Sequence, residues 1–438
     1  MGYNNLRFAA PAKFARRATE EKIHKYRSEF QRDRDRILYS KAFRRLNGKT
    51  QVFIPMSSDH LRNRLSHTLE VSQISRISAQ NLGLDQDLVE AIALAHDIGH
   101  APFGHVGERK LNNIANSCSE FDYLREVLEE GSRGFKHNLQ GVRILSDIET
   151  CYPDVSGLNV TNYTLWGVKA HSSAAWKTCE NFDSNKCHLQ KRKAKCEING
   201  QFSLDFFSRY DERMLVDTRE AWSFEGLLVA KADEIAQRHH DVEDAIILKI
   251  LSAEAVVEKF KSLFKEFFGR DDVKNFDLVA SKIKTSYFLP YLSRMVVHFY
   301  NKNLIEYSDN KLMEFGRSHG IKNKDGFAAV YGDMSLGEAE NIIRFSDSVA
   351  RADKLFQEFL KNTILNSYYA QRMDGKGAYL IKRLFEAYYS NPRQLQDHCI
   401  VSAFAMFEGK DYRANAVPME MVGEFRSRIG SGQLRGDA

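Results

Sequence analysis

Proline is scarce in this chain, 7 residues in 438. Proline lacks a backbone N–H and breaks helix interiors, so long proline-free stretches suit an all-α protein. Glycine, at 26, is not enriched. Six cysteines are too few for a disulfide framework in so long a chain. No apolar run approaches the ~18 residues of a membrane span, so no membrane contact is expected. The opening residues, Met1 to Leu6, carry no continuous apolar signal core. Leu6 also stands where an N-myristoylation site needs Ser or Thr. The expected location is the cytoplasm.

What is present is apolar mass and a mild basic excess. The hydrophobic fraction is 43%, ample for a large core, and the formal charge is +5. That charge is compatible with an anionic small substrate or with weak nucleic-acid contact and decides between neither. The basic groups Arg44-Arg45, Arg62 with Arg64, and Lys191-Arg192-Lys193 with Lys195 read most simply as solvated faces or loops.

No tandem repeat and no low-complexity linker divides the chain. Residues 20–46 are charged and helical in rhythm, and 47–63 are irregular, punctuated by Gly48, Pro55 and Ser57-Ser58-Asp59. Residues 66–82 predict a helix with Leu69, Ile74, Ile77 and Leu82 near one face. Gly83 is its expected C-cap, and Asp85 the expected N-cap of a second helix over 86–97. Residues 150–210 are polar, Cys- and Lys-rich, and read as a variable insertion. Helical rhythm returns at 219–268, 337–366 and 376–390, with Asn391-Pro392 as a stop. The expected organisation is an N-terminal helical and loop region (1–59), a central core (60–250, containing the insertion) and a C-terminal helical region (251–438).

Four residues carry the chemistry: His67, the adjacent pair His96-Asp97, and Asp233. Two neutral imidazoles and two carboxylates make a mixed N/O site for a hard or borderline divalent cation. On an octahedral ion four such ligands leave two positions, one for a phosphate oxygen and one for a water of lowered pKa. Adjacent residues in a regular helix point ~100° apart, so His-Asp can share one ion only where the helix ends. Gly99 and Pro102 predict that ending. His100 and His105 place two further imidazoles within nine residues, more than capping histidines alone explain.

Several motifs in order then resemble the dGTPase-type triphosphohydrolases of the HD superfamily. They are F-R-R-L-x-x-K-T-Q-V-F (43–53), R-x-x-H-T-L-E-V-x-Q-I-x-R (64–76), L-A-H-D-I-G-H-A-P-F-G-H (94–105) and H-N-x-Q-x-x-R-I-L (137–145). Further on come A-D-E-I-A-x-x-x-H-D-x-E-D (232–244) and G-x-x-x-I-x-x-L-F-E-A-Y-Y-x-N-P (377–392). The resemblance spans roughly 35–395 with a gap at 150–210. It implies an HD-domain helical core with a C-terminal helical extension, and one divalent metal on His67, His96, Asp97 and Asp233. Mg or Mn is the expected ion, with Fe, Co, Ni or Zn as alternatives. The implied reaction is hydrolysis of a dNTP, dGTP preferred, at the α-phosphorus to a deoxynucleoside and inorganic triphosphate.

By the same resemblance His105 and His137 flank the α-phosphate as acid/base partners, with His100 close by. Relatives often carry Glu-Gly where this chain has Lys136-His137. Arg64, three residues before His67, suits a triphosphate oxygen, and Arg45, Lys49 and Lys231 are weaker candidates of that kind. Asn47 and Gln51 fall in a segment resembling a nucleoside-contacting loop, where their amides read a purine edge or cap the loop. Asp241, two turns after Asp233, is expected near the sugar, beside Gln237 where relatives often have an aromatic. A Thr-Asp-x-Tyr-Ala element common near the ribose in relatives is missing. Tyr368, Tyr369 and Tyr388 are alternatives for it, although tyrosines on amphipathic helices are most often core.

The resemblance also implies a homo-oligomer, hexamer or tetramer, and leaves single-stranded DNA or a nucleotide effector open as a partner. Cys179, Cys187, His188 and Cys196 lack the tight C-x₂₋₄-C pair of compact zinc sites and read as free thiols. Two alternatives stand beside the leading reading: an HD phosphohydrolase acting on another phosphoester, and a non-catalytic nucleotide-sensing or nucleic-acid-binding protein.

Overall fold

The structure is a computed structural model that describes residues 7–50, 62–124, 134–152, 155–172, 222–408 and 419–430. In chain order the helices are α1 (Glu29–Tyr39), α2 (Lys41–Arg45), α3 (Arg64–Leu82), α4 (Gln86–Ala95), α5 (Gly104–Ala115) and α6 (His137–Arg143). Then come α7 (Asn162–Ala170), α8 (Phe224–Ile247), α9 (Ala253–Phe264), α10 (Arg270–Ser281) and α11 (Phe288–Ser318). The chain continues through α12 (Lys324–Val330), α13 (Leu336–Ile342), α14 (Asp347–Leu365), α15 (Tyr368–Ser390), α16 (Asp397–Glu408) and α17 (Met419–Gly430). Among the described residues β pairing is confined to one isolated bridge, Thr50 with Asn63. The fold is all-α, as expected.

Local chemistry sets the helix ends that matter for the site. The Asn63 side chain accepts from the Ser66 N–H to start α3, and Gly83 ends it in the left-handed region at φ 66°. Asp85 then accepts from the N–H groups of Asp87 and Leu88 to start α4. From Leu88 to Ala95 every residue of α4 except Glu90 is buried. A helix so nearly apolar all round belongs at the centre of a fold. It packs against α1, α3, α7 and α8.

One continuous core runs from Phe8 and Phe30 through Ile92, Trp166 and Leu228 to Phe260, Tyr300 and Phe356. A second cluster, with Leu46, Leu94, Ile98, Leu139 and Leu165, lies under the turn that follows α4. A third seats α15 on α5 through Ile114, Phe121 and Ile381, with Phe103 and Phe385 packed against it.

Several expectations change. Leu69 and Ile77 are exposed, 52% and 42%, while Ile74 and Leu82 are buried. The inward face of α3 is instead drawn by His67, Val71, Ser75, Ser78 and Ala79. That face is small and polar because it approaches other helices and the site closely, so apolar periodicity alone misplaces it. Within 219–268 the described residues, 222–268, hold two helices, α8 and α9, separated at a left-handed Lys249 (φ 55°) and restarted by the Ser252 cap. The stretch 337–366 divides likewise into α13 and α14. Residues 155–172, expected within the insertion, include α7, whose Tyr163, Leu165, Trp166 and Val168 are buried. Tyr368, Tyr369 and Tyr388 are exposed rather than core. Gln51, the basic run 191–195 and the set Cys179, Cys187, His188 and Cys196 lie outside the described residues.

Candidate metal centre

Three helices and one turn deliver the four residues singled out from sequence. His67 projects from the first turns of α3 and Asp233 from the middle of α8. His96 is the C-cap of α4, and Asp97 sits in the turn beyond it, where the His100 N–H donates to the Asp97 carbonyl. The helix therefore ends where His-Asp needs it to. His67 Nε2 lies 3.0 Å from Asp233 Oδ1 and 3.8 Å from Asp97 Oδ2. His96 Nε2 lies 3.5 Å from Asp97 Oδ1 and 3.8 Å from Asp233 Oδ1. All four side chains are buried or nearly so.

The donor set fits a divalent cation. His67 Nε2 and His96 Nε2 are both buried and make no hydrogen bond. For His96 the reason is visible: Nδ1 donates to the Ala93 carbonyl at 2.7 Å, leaving the Nε2 lone pair bare toward the carboxylates. Buried polar atoms without partners are uncommon, and two of them aimed at a pair of carboxylates call for a positive charge between them. Burial opposes the charge on Asp97, but Arg64, His96 and His100 hold its carboxyl well below the usual range. Asp233 is likewise held low against burial, by His67 and His96.

Around this centre the charge is basic. Arg64 is buried, and its guanidinium donates to Asp97 Oδ2 at 2.6 Å. Lys49 Nζ donates to the Ile98 carbonyl at 2.9 Å; burial, then Arg64, push its pKa down to about 8. Arg45 is exposed at the end of α2. Asn47 is exposed too, and its Oδ1 accepts from Asn63 Nδ2 at 3.0 Å, which braces the loop against the start of α3. Lys231 pairs with Glu234 at 2.8 Å.

The imidazoles form a second layer. His100 Nε2 lies 3.1 Å from Asp97 Oδ1, and its ring stacks on His137 with centroids 3.8 Å apart. Gly99 permits this approach, since a Cβ there would sit 1.9 Å from the His137 carbonyl oxygen. Glu108, fully buried on α5, receives the His137 N–H at 2.9 Å and Nδ1 at 2.8 Å on Oε1. Its Oε2 lies 3.1 Å from His105 Nδ1. The other ring edge of His105 is open, the side chain being 66% exposed. His171 completes the group, with Nε2 3.1 Å from His137 Nε2 and its ring 5.2 Å from that of His96. Sequence reasoning missed Glu108 and His171. Glu108 had a usable signal, standing one helical turn after His105; His171 had none, since only the α6–α7 packing brings it in.

On α8, Asp233, Gln237 and Asp241 share a face at four-residue spacing. Gln237 Nε2 donates to both Asp233 oxygens at 3.2 and 3.1 Å, so its amide is turned to the carboxylate. Burial raises the Asp241 carboxyl to about 6. Among the described residues three groups have cation-ligand chemistry: His67 with His96 and Asp233, Asp97 with His100 and His137 beside it, and, apart from these, Glu70 with His239 and His240. In the last, however, the side chains already pair with one another: His239 Nε2 and His240 Nε2 both meet Glu70 Oε2, and Arg62 Nε lies 3.2 Å from Oε1.

A helical body whose buried histidines and aspartates meet at the end of a central helix defines a class, the HD domain. The HD-domain family profile matches residues 64–197, and that of the phosphohydrolase-associated domain matches 343–411. A deoxyguanosinetriphosphate triphosphohydrolase-like protein of Nitrobacter hamburgensis is 34% identical over 390 residues, covering 88% of this chain and 84% of its own. One of Bordetella pertussis is 32% identical over 385 residues, covering 88% and 85%. One of Rickettsia canadensis is 39% identical over 248 residues, covering 57% and 56%. The chain belongs to this deoxyguanosinetriphosphate triphosphohydrolase-like family of HD-domain hydrolases.

Proposed function

We propose that the protein is a metal-dependent nucleotide phosphohydrolase that cuts a dNTP, dGTP by preference, into a deoxynucleoside and inorganic triphosphate. The observation that carries this reading is the pair of bare, buried Nε2 atoms on His67 and His96 facing Asp97 and Asp233. The names of the relatives support the choice of substrate. His67, His96, Asp97 and Asp233 would hold the ion, Mg²⁺ or Mn²⁺. Bound there, a divalent ion supplies Lewis acidity toward a phosphate oxygen and lowers the pKa of a coordinated water.

The chain's own residues do the rest. Arg64 and Lys49 place two positive charges beside the turn that carries Asp97, where triphosphate oxygens need neutralising. His105 presents an open ring edge while Glu108 orients the other, the arrangement of a general acid that protonates the leaving 5′ oxygen. His137, held by the same carboxylate, is its acid/base partner, and His100 lines the phosphate side. Asp241 is assigned to the sugar with Gln237 beside it, Asn47 to the base, and Arg45 to the triphosphate with Arg64 and Lys49. Gln51, outside the described residues, is assigned to the base by the resemblance alone. Assembly as a hexamer or tetramer, a cytoplasmic location, and single-stranded DNA or a nucleotide as effector belong to the same reading.

Chromatographic identification of products tests it. Purified protein with Mg²⁺ or Mn²⁺ is expected to release tripolyphosphate and deoxyguanosine from dGTP, and chelator is expected to stop the reaction. Release of dGMP and pyrophosphate instead would remove the assigned leaving group, and hydrolysis of some other phosphoester alone would point to a different HD phosphohydrolase.

A further inference from the structure

We infer that Glu70 and His240 form a hydrogen-bond relay that sets the tautomer of His67, so that two residues outside the ligand set fix the strength of cation binding. The inference rests on the proposed metal site and deepens it.

Helix α3 carries Glu70 one turn after His67, and α8 carries His240 two turns after Asp233. The packing of α3 on α8 therefore brings His240 between Glu70 and His67. His240 Nε2 bonds to Glu70 Oε2, and His240 Nδ1 lies 3.2 Å from His67 Nδ1. Both rings are buried, His67 at 0% and His240 at 1% exposure.

The proton assignment follows from what each atom can do. An ionised carboxylate only accepts, so the hydrogen on this bond belongs to His240 Nε2. A neutral His240 is then bare at Nδ1. Between two facing Nδ1 atoms one must donate, and that donor is His67. A neutral His67 with its hydrogen on Nδ1 is bare at Nε2, the atom 3.0 Å from Asp233 and without a hydrogen bond. His96 reaches the same state more simply, by donating Nδ1 to the Ala93 carbonyl. His67 Nδ1 faces His240 Nδ1 instead, and the relay takes the place of that carbonyl.

Glu70 is itself fixed. His239 Nε2 lies 2.8 Å from Oε2 and Arg62 Nε 3.2 Å from Oε1. Those donors hold the carboxylate ionised and aimed at His240. Outer partners of metal-bound histidines typically govern metal affinity by 10–100-fold.

Two measurements on the full chain decide the matter. The first is imidazole ¹⁵N shifts in chelator-treated protein carrying ring-labelled histidine, assigned by single substitutions. The expected result is hydrogen on Nδ1 of His67 and on Nε2 of His240; hydrogen on His67 Nε2 overturns the relay. The second is Mn²⁺ titration followed by electron paramagnetic resonance. His240→Leu is expected to weaken Mn²⁺ binding about 10–100-fold. His240→Gln, whose amide can accept from His67 and donate to Glu70, is expected to stay near wild type. Glu70→Leu is expected to weaken binding as well, although Glu70 touches no ion. This position is a third exposed, so the variant keeps the test decisive should His240→Leu fail to fold. Wild-type affinity in folded Glu70→Leu and His240→Leu overturns the relay. Failure of the wild-type chain to take up Mn²⁺ sinks the proposed metal site instead, while the ¹⁵N shifts still judge the tautomers.

Discussion

At the scale of single residues the candidate site is organised by carboxylates outside the proposed ligand set. Glu108 is fully buried, and one of its oxygens serves His137 while the other serves His105. Burial works against its charge, yet His105 and His137 hold its carboxyl well below the usual range, so it stays an acceptor across the working pH. Its function is to aim imidazoles. This separates the proposed role of His105 from that of the proposed ligand histidines, and the separation is measurable. His105→Ala is expected to retain metal, by elemental analysis, and to lose ~10²–10⁴-fold in turnover of dGTP. A normal rate in that variant would take His105 out of the reaction.

At the scale of elements, the decisive event is the end of α4. Its N-terminus is capped by Asp85, its body is buried from Leu88 to Ala95 except at Glu90, and it stops at Ala95 so that His96 and Asp97 leave on a turn. The start of α6 is pressed onto that turn at Gly99. An alanine Cβ at this position would lie 1.9 Å from the His137 carbonyl oxygen and 2.3 Å from the Gly141 nitrogen. Both neighbours are backbone and cannot swing aside. Gly99→Ala is therefore expected to push α6 away, separating His137 from His100 and Glu108. Overfilling of this kind costs about 1–3 kcal/mol, readable as a lower denaturant midpoint, together with a fall in kcat larger than any change in KM. A variant with an unchanged midpoint and kcat would show that the contact is soft.

At the scale of the whole molecule, the N-terminal segment is tied to the core through a buried acid. Glu225, at the start of α8, is fully buried, and its Oε1 accepts from the N–H of Ala10 at 3.1 Å and of Asp85 at 2.9 Å. Burial raises its carboxyl from the usual 4.5 to about 7 despite those two bonds. Below pH 4.5 the group is protonated in both folded and unfolded chains and has no effect on stability. Between 4.5 and 7 the unfolded chain ionises first, so stability falls as pH rises, and above 7 the loss is complete. Glu225→Gln keeps the acceptor oxygen and removes the titration. Its unfolding free energy relative to wild type is expected to rise by on the order of 1–3 kcal/mol between pH 5 and pH 8. A pH-independent difference would mean that Glu225 is ionised within the fold.

Read from the chain alone, the helical class, the caps at Gly83 and Asp85, and the pairing of His67 with His96, Asp97 and Asp233 were all accessible. Each depends on short-range periodicity or on residue types that few roles other than metal binding would gather. Tertiary packing alone supplied His171 and the Glu70–His240 relay, and it gave Glu108, marked in sequence only by its place one turn after His105, its two imidazole partners. An acid or an imidazole on a helix looks the same in sequence whether it meets water or a ligand's far edge. It also reassigned α7 to the core and turned Leu69 and Ile77 outward, because which face of a helix is buried depends on the neighbour that arrives. Spacing along one element is fixed by backbone geometry, whereas the partner across a helix interface is chosen by the fold as a whole.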